Sequence, residues 1–290
     1  MGESSATVTP TAGKKLRLYW AAGRGKELPG DKNRPELGEI VHQATMAYAN
    51  ALVHPGTQVT LGWMRKTTFM LRSAYIGMIN DAQMISDILD AERDGFDVAM
   101  IGPNWDPGLH PAREAAVIPI AGTGEASMMV ASTLGAKYAY LTVEGYGHLA
   151  YRGMRLNGAE GHAIAHRPVR EFLPLAILYE SAVQCVEGSS DQFLTLLEKA
   201  AKECIDDGAD VIIAGGQFFG PALLKHGFSR VPNTAVPVVD STGCGLKMAE
   251  MLGSLHQSCG LEKSQHHTSP FQTPPREVLD RVRSQFGLTA

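Results

Sequence analysis

Cysteine is scarce in this chain, and what there is forms no pattern. The four cysteines among 290 residues are Cys185, Cys204, Cys244 and Cys259. They give no C-x-x-C pair and no zinc-ligand spacing, which argues against a stapled or zinc-built module. So little cysteine in so long a chain suits a reducing compartment, and a soluble cytoplasmic protein is expected. Excess positive charge is missing too: 26 Lys and Arg stand against 30 Asp and Glu, a net charge of −4. Without a basic field to hold a phosphate backbone, nucleic acid is not an expected partner. No apolar run approaches the roughly 20 residues that span a bilayer, so a membrane is not expected either. Residues 1–14 lack the apolar core of a signal peptide and read as a disordered leader.

What is present is strand and helix in alternation. Segments 15–20 (KLRLYW), 58–63 (QVTLGW), 97–101 (DVAMI) and 116–120 (AVIPI) read as strands. Helices are predicted over 35–53, where Leu37, Ile40, Val41, Ala44 and Tyr48 recur at helical spacing, over 82–94, and from after 120 to about 134. The order then starts again. Strands 137–143 (KYAYLTV), 211–214 (VIIA) and 236–239 (VPVV) enclose helices at 173–186 and 190–206, and a last helix covers 275–286. Such alternation implies parallel sheets with helices on both faces.

An internal duplication organises this pattern. DGFDVAMIG, from Asp94, matches DGADVIIAG, from Asp207, and KLRLYWA matches KYAYLTV. A repeat of roughly 120 residues means two similar lobes. The expected fold is α/β, with two pseudo-symmetric doubly wound lobes, parallel four-stranded sheets and an active site in the cleft between them. A leader over 1–14, one lobe from 15–122 plus 240–290, and a second from 123–239 are expected. Ligands of open α/β sheets bind where strands end, which points to the loops 102–108 (GPNWDPG) and 215–221 (GGQFFGP). Their backbone N–H groups are candidates to hold a carboxylate or enolate oxygen. The plainer alternative is an ordinary pair of strand-to-helix turns.

Gly95-Phe-Asp-Val98, Asp106-Pro-Gly-Leu109, Ala112-Arg-Glu114, the run from Pro119 to Ala126 (PIAGTGEA), and His166-Arg-Pro-Val169 resemble the aspartate/glutamate/hydantoin racemase superfamily. So does the stretch 208–239, and the likeness runs from about Leu16 to about Leu255. Hydantoin racemase-like and arylmalonate decarboxylase-like proteins are the nearest types. The resemblance implies cofactor-free chemistry beside a carboxylate or cyclic imide, with one cysteine per lobe on opposite faces of the substrate carbon. This chain departs there: Pro103 and Gly216 stand at the two cysteine positions, and Ala21–Gly25 replaces an Asn-rich loop. What carries over is anion-binding geometry at the N–H groups of Asn104, Trp105, Gln217 and Phe218. These residues, Gly216 and Thr123 are the candidate substrate contacts. A homo-oligomer is expected from the resemblance alone.

Glu144, Tyr146 and His148 are the candidate proton carriers in place of thiols. Glu144 is expected to be desolvated near Trp105 and Phe218, and the glycines of EGYGH to make a mobile lid; a solvated loop is the alternative. Asp106 reads as a structural turn residue rather than a base, and Cys244 as a packed helix residue rather than a thiol activated at a helix start. His162 and His166 lack a third ligand, and Gly23-Arg-Gly25 lacks nucleotide-fingerprint spacing, so neither metal nor cofactor is expected. Three functions stay open: an isomerase or racemase acting by non-cysteine acid/base chemistry, a carbon–carbon lyase of decarboxylase or retro-aldol type, and a non-catalytic binder of small molecules. The aromatic loops favour a bulky apolar substrate.

Overall fold

The computed structural model describes residues 15–26, 36–68 and 72–288. The expected leader and the start of the predicted first helix at Pro35 lie outside them. Two four-stranded parallel sheets form the frame. The first holds β1 (Leu16–Ala21), β2 (Thr57–Gly62), β3 (Val98–Ile101) and β4 (Ile120–Gly122) in the order β2-β1-β3-β4. The second holds β5 (Tyr138–Val143), β6 (Val169–Leu173), β7 (Val211–Ala214) and β8 (Val238–Asp240) in the order β6-β5-β7-β8. Each strand of one sheet thus has its counterpart in the other. The inner strands β3, β5 and β7 are buried throughout. A parallel strand covered on both faces has no polar side to show, which is why VAMI and VIIA read as continuous apolar runs.

Helices cover both faces of each sheet. On the first, α1 (Leu37–Leu52) lays Tyr48 and Ala49 against Leu18, Trp20 and Met100. The opposite face is covered by α2 (Ala74–Arg93) and α3 (Leu109–Ala115), through Met84, Ile88 and Leu109. On the second sheet, α4 (Thr123–Leu134) and α5 (Gly147–Leu156) pack Met128, Ala150 and Met154 on Tyr140 and Ile213. The other face carries α6 (Leu178–Glu187), α7 (Gln192–Asp206) and α8 (Gly220–Lys225), with Phe193, Leu197 and Leu223 in its core. After β8 the chain returns: α9 (Ser241–Cys259) packs Leu246 and Ala249 into the first lobe. The last helix, α10 (Arg276–Gln285), is tied to α2 by Arg283, which donates to Ser86 and Asp90.

Several elements differ from their sequence reading. Helix α2 starts at Ala74, eight residues before the predicted 82, because Ser73 caps it by accepting from the Ile76 N–H at 3.4 Å. Its first turns expose Tyr75, Met78 and Ile79, which hides the amphipathic pattern. The predicted strand 116–120 is only β4, because the Glu92 carboxylate takes the N–H groups of Val117 and Ile118. The supposed lid loop 144–148 runs straight into α5, whose first residue, Gly147, donates to Glu171 at 2.8 Å. No helix among the described residues is long and apolar enough to cross a membrane.

Candidate active site

At the carboxyl ends of β1, β3, β5 and β7, both lobes contribute to one small pocket of about 60 Å³. Its lining includes Arg24, Asn104, Trp105, Tyr146, Gln217 and Phe218. Two glycines set the close approach of the lobes. A Cβ on Gly102, the residue after β3, would strike the Trp20 indole nitrogen and come within 2.8 Å of Gln217 Nε2 from the other lobe. Its counterpart Gly215, the residue after β7, would strike the Tyr140 ring and come within 2.8 Å of Asn104 Nδ2 from the first lobe. Each loop therefore sends one amide side chain across the cleft onto the glycine of the other, which only a bare Cα permits.

Asn104 is fixed by this exchange. Its Nδ2 donates to Thr142 Oγ1 at 3.2 Å, and its carbonyl accepts from the Tyr140 hydroxyl at 2.8 Å. The 215–218 loop is fixed by the start of α9: Gly216 N–H donates to Ser241 Oγ at 3.3 Å, and Thr242 Oγ1 donates to the Gln217 carbonyl at 3.1 Å. Among the described residues, the N–H groups of Asn104, Trp105, Gln217 and Phe218 have no acceptor. Gln217 Nε2 and Trp20 Nε1 are buried donors without a protein partner there. A buried donor left unpaired is costly, and Gln217 Nε2 with the four free N–H groups brings several such donors to the pocket wall, while Trp20 Nε1 lies behind it.

Arg24, which the sequence reading did not pick as a site residue, brings a guanidinium to the lining, where its Nη1 also donates to the Gly25 carbonyl at 2.7 Å. It is only 4% exposed, and its guanidinium lies 4.4 Å from the Trp63 ring and 4.8 Å from the Phe218 ring. Aromatic faces hold a guanidinium where water is scarce. A lone arginine between two glycines, in the loop after the first strand, was the available signal.

The sequence candidates divide. Asn104, Trp105, Gly216, Gln217 and Phe218 line the pocket, as does Tyr146. Tyr146 stacks on Trp105 with ring centres 4.9 Å apart, and burial, with Tyr179 beside it, pushes its phenol up to about 12. Glu144 and His148 are exposed and are not part of the lining. The expectation of a desolvated Glu144 is overturned: its carboxylate turns to the Leu175 N–H at 3.2 Å, at the surface. Thr123 is fully buried outside the pocket, and its hydroxyl donates to the Ile101 carbonyl. Asp106 accepts from Gly124 N–H at 2.8 Å and Glu125 N–H at 2.6 Å, a structural cap for α4. Cys244 packs in the second lobe's core, and burial pushes its thiol up to about 12, away from thiolate chemistry. No group of three or more metal-ligating side chains occurs among the described residues.

This arrangement of paired lobes has known relatives. The family model for Asp/Glu/hydantoin racemase matches residues 43–249. The chain belongs to this family. It is 30% identical over 171 residues to a hydantoin racemase of Rhizobium meliloti, covering 58% of this chain and 65% of that protein, just under two thirds of its length. It is 25% identical over 212 residues to a hydantoin racemase of Pseudomonas sp. (strain NS671), covering 71% of this chain and 78% of that one. Among solved structures, allantoin racemase from Klebsiella pneumoniae superposes with a TM-score of 0.69 at 21% identity, over 90% of this chain and 95% of that one. At that identity the likeness is one of fold. Within this racemase family the chain's departures are built into its packing. A Cβ on Gly23 would strike the Pro103 ring, and one on Gly216 would lie 2.5 Å from the Phe219 ring. The space beside Gly216 is therefore filled, and Pro103 packs directly on Gly23.

Proposed function

We propose that this racemase-family chain is a cofactor-independent isomerase acting at a carbon next to a carboxylate or cyclic imide, without thiols. One observation carries the reading: Arg24 and two loops, in which the N–H groups of Asn104, Trp105, Gln217 and Phe218 have no acceptor among the described residues, line one pocket between the lobes. Such donors stabilise the enolate oxygen that forms when the α-carbon loses its proton. Arg24 balances the substrate's negative charge, and the Asn104 and Gln217 amides orient its oxygens. Tyr146 is the candidate proton carrier, since of the three sequence candidates it alone lines the pocket. In the isomerase reading the Tyr146 phenolate takes the α-proton and the phenol so formed returns a proton to the carbanion; burial raises this phenol to about 12, so the protonated form is the resting one and its phenolate is a strong base.

A carbon–carbon lyase is the second reading, and the single proton carrier favours it. Cleavage needs one protonation of the carbanion, whereas inversion needs proton transfer on two faces. The substrate is a small carboxylate or imide in either case. A cytoplasmic location and a homo-oligomer belong to the same proposal; light scattering reads the latter.

The test is incubation in D2O with amino acids, hydantoins, aryl malonates and β-hydroxy acids, followed by NMR. Deuterium entering an α-carbon of an intact substrate supports the isomerase. Loss of CO2 or of an aldehyde fragment establishes the lyase. Binding without turnover, unchanged by Tyr146→Phe, defeats both in favour of a binder.

A further inference from the structure

A larger cavity, of about 510 Å³, opens between the lobes and shares Trp105 with the cleft pocket as a common wall. The first half of α2, with Met78 and Asp81, forms one side, and α5, with Arg152 and Leu156, forms another. The turn 105–111 joins them. Its volume is that of a small-molecule site, whereas the cleft pocket is far smaller.

Its charges are left open. Among the described residues Asp81 makes no hydrogen bond and no salt bridge; the one charge it feels is that of Arg152. Arg152, which is exposed, has no protein acceptor among the described residues. Burial pushes the Asp81 carboxyl up to about 6, as expected of a carboxylate taken from water without a donor. The apolar part of the lining is also unusually open: Met78 is 63% exposed and Leu156 61%. A cavity that presents an acceptor without donors, a donor without acceptors and bare apolar side chains suits a ligand with the complementary groups.

We propose that this cavity is a second small-molecule site, distinct from the cleft pocket, for an amphoteric compound with a protonated nitrogen, a hydrocarbon middle and a carboxylate. The nitrogen pairs with Asp81, the carboxylate with Arg152, and the hydrocarbon covers Met78 and Leu156. The site does not depend on turnover in the cleft.

The experiment titrates the full chain with ω-amino carboxylates of three to eight carbons, and with the matching n-alkylamines and n-alkanoates, by calorimetry and amide NMR. At one chain length the doubly charged probe is expected to bind about tenfold or more tightly than either singly charged analogue. Shifted amides should fall on α2 and α5, Asp81→Asn and Arg152→Gln should each remove the advantage, and Tyr146→Phe should leave it intact. No binding, equal binding of all three probe types, or shifts centred on Phe218 and Tyr146 would overturn the proposal. The wild-type comparison of probes decides even if a variant fails to fold.

Discussion

Gly216 shows at the scale of one residue how closely the position expected to hold a family cysteine is packed. Phe219 is fully buried, 4.9 Å from the Phe193 ring and 5.6 Å from the Phe172 ring, and occupies the space a side chain at 216 would need. Gly216→Cys is therefore expected to destabilise the fold by about 1–3 kcal/mol through overpacking. A thermal melt that shows no loss would mean that Phe219 yields. Arg24 and Tyr146 carry the complementary prediction for turnover. Arg24→Met is expected to raise KM by about tenfold or more, since a buried charge-assisted contact is lost. Tyr146→Phe keeps the ring on Trp105 and removes only the proton, so kcat is expected to fall about a hundredfold or more at nearly constant KM. Steady-state kinetics on the substrate found by NMR separates the two effects. Unchanged kcat in Tyr146→Phe would remove this residue as proton carrier.

At the scale of elements, two helix starts are held by carboxylates, one ending a strand and one in a turn. Asp240 caps α9 by accepting from Thr242 and Gly243 N–H, and Asp106 caps α4 from a left-handed turn at φ 52°. Burial, against the opposing pull of the Gly124 and Glu125 N–H groups, raises Asp106 from 3.8 to about 7. The folded chain then keeps a proton that the unfolded chain has released. Its contribution to stability is full below about pH 4 and is lost as pH rises toward 7. Denaturant unfolding at pH 4.5 and 7.5 is expected to show this decline in the wild type, and less of it in Asp106→Asn, which carries no charge. An identical slope in both would place the titration elsewhere.

At the scale of the whole molecule, a pocket of about 60 Å³ is too small for a hydantoin-sized substrate, since ligand sites run to roughly 300–1,000 Å³. On the proposed function, the lobes part for substrate to enter. Helix α1 of the first lobe meets α6 of the second in an apolar seam of Leu37, Val41, Val183 and Phe218, which opening would break. Val183→Ala is expected to weaken that seam by about 1–3 kcal/mol. It should speed hydrogen exchange in α1 while leaving β3 and β7 protected. Equal exchange in α1 would show that opening runs through another contact.

The duplication, the two parallel sheets and the loops that end β3 and β7 were legible in the sequence, because buried parallel strands print as apolar runs and a repeated lobe prints its pattern twice. The placement of Asn104, Trp105, Gln217 and Phe218 in those loops followed directly, since strand ends are fixed by local order. Which side chains join them was not legible. Tyr146 faces the cleft while Glu144, two residues before it, turns to solvent, a difference set by the Leu175 N–H from a segment 31 residues away. Arg24 acquires meaning only when Trp63 and Phe218, from opposite lobes, close on its guanidinium. Local pattern fixes the elements and their ends; the direction of a polar side chain is decided by partners that the chain brings together only when its two lobes pack.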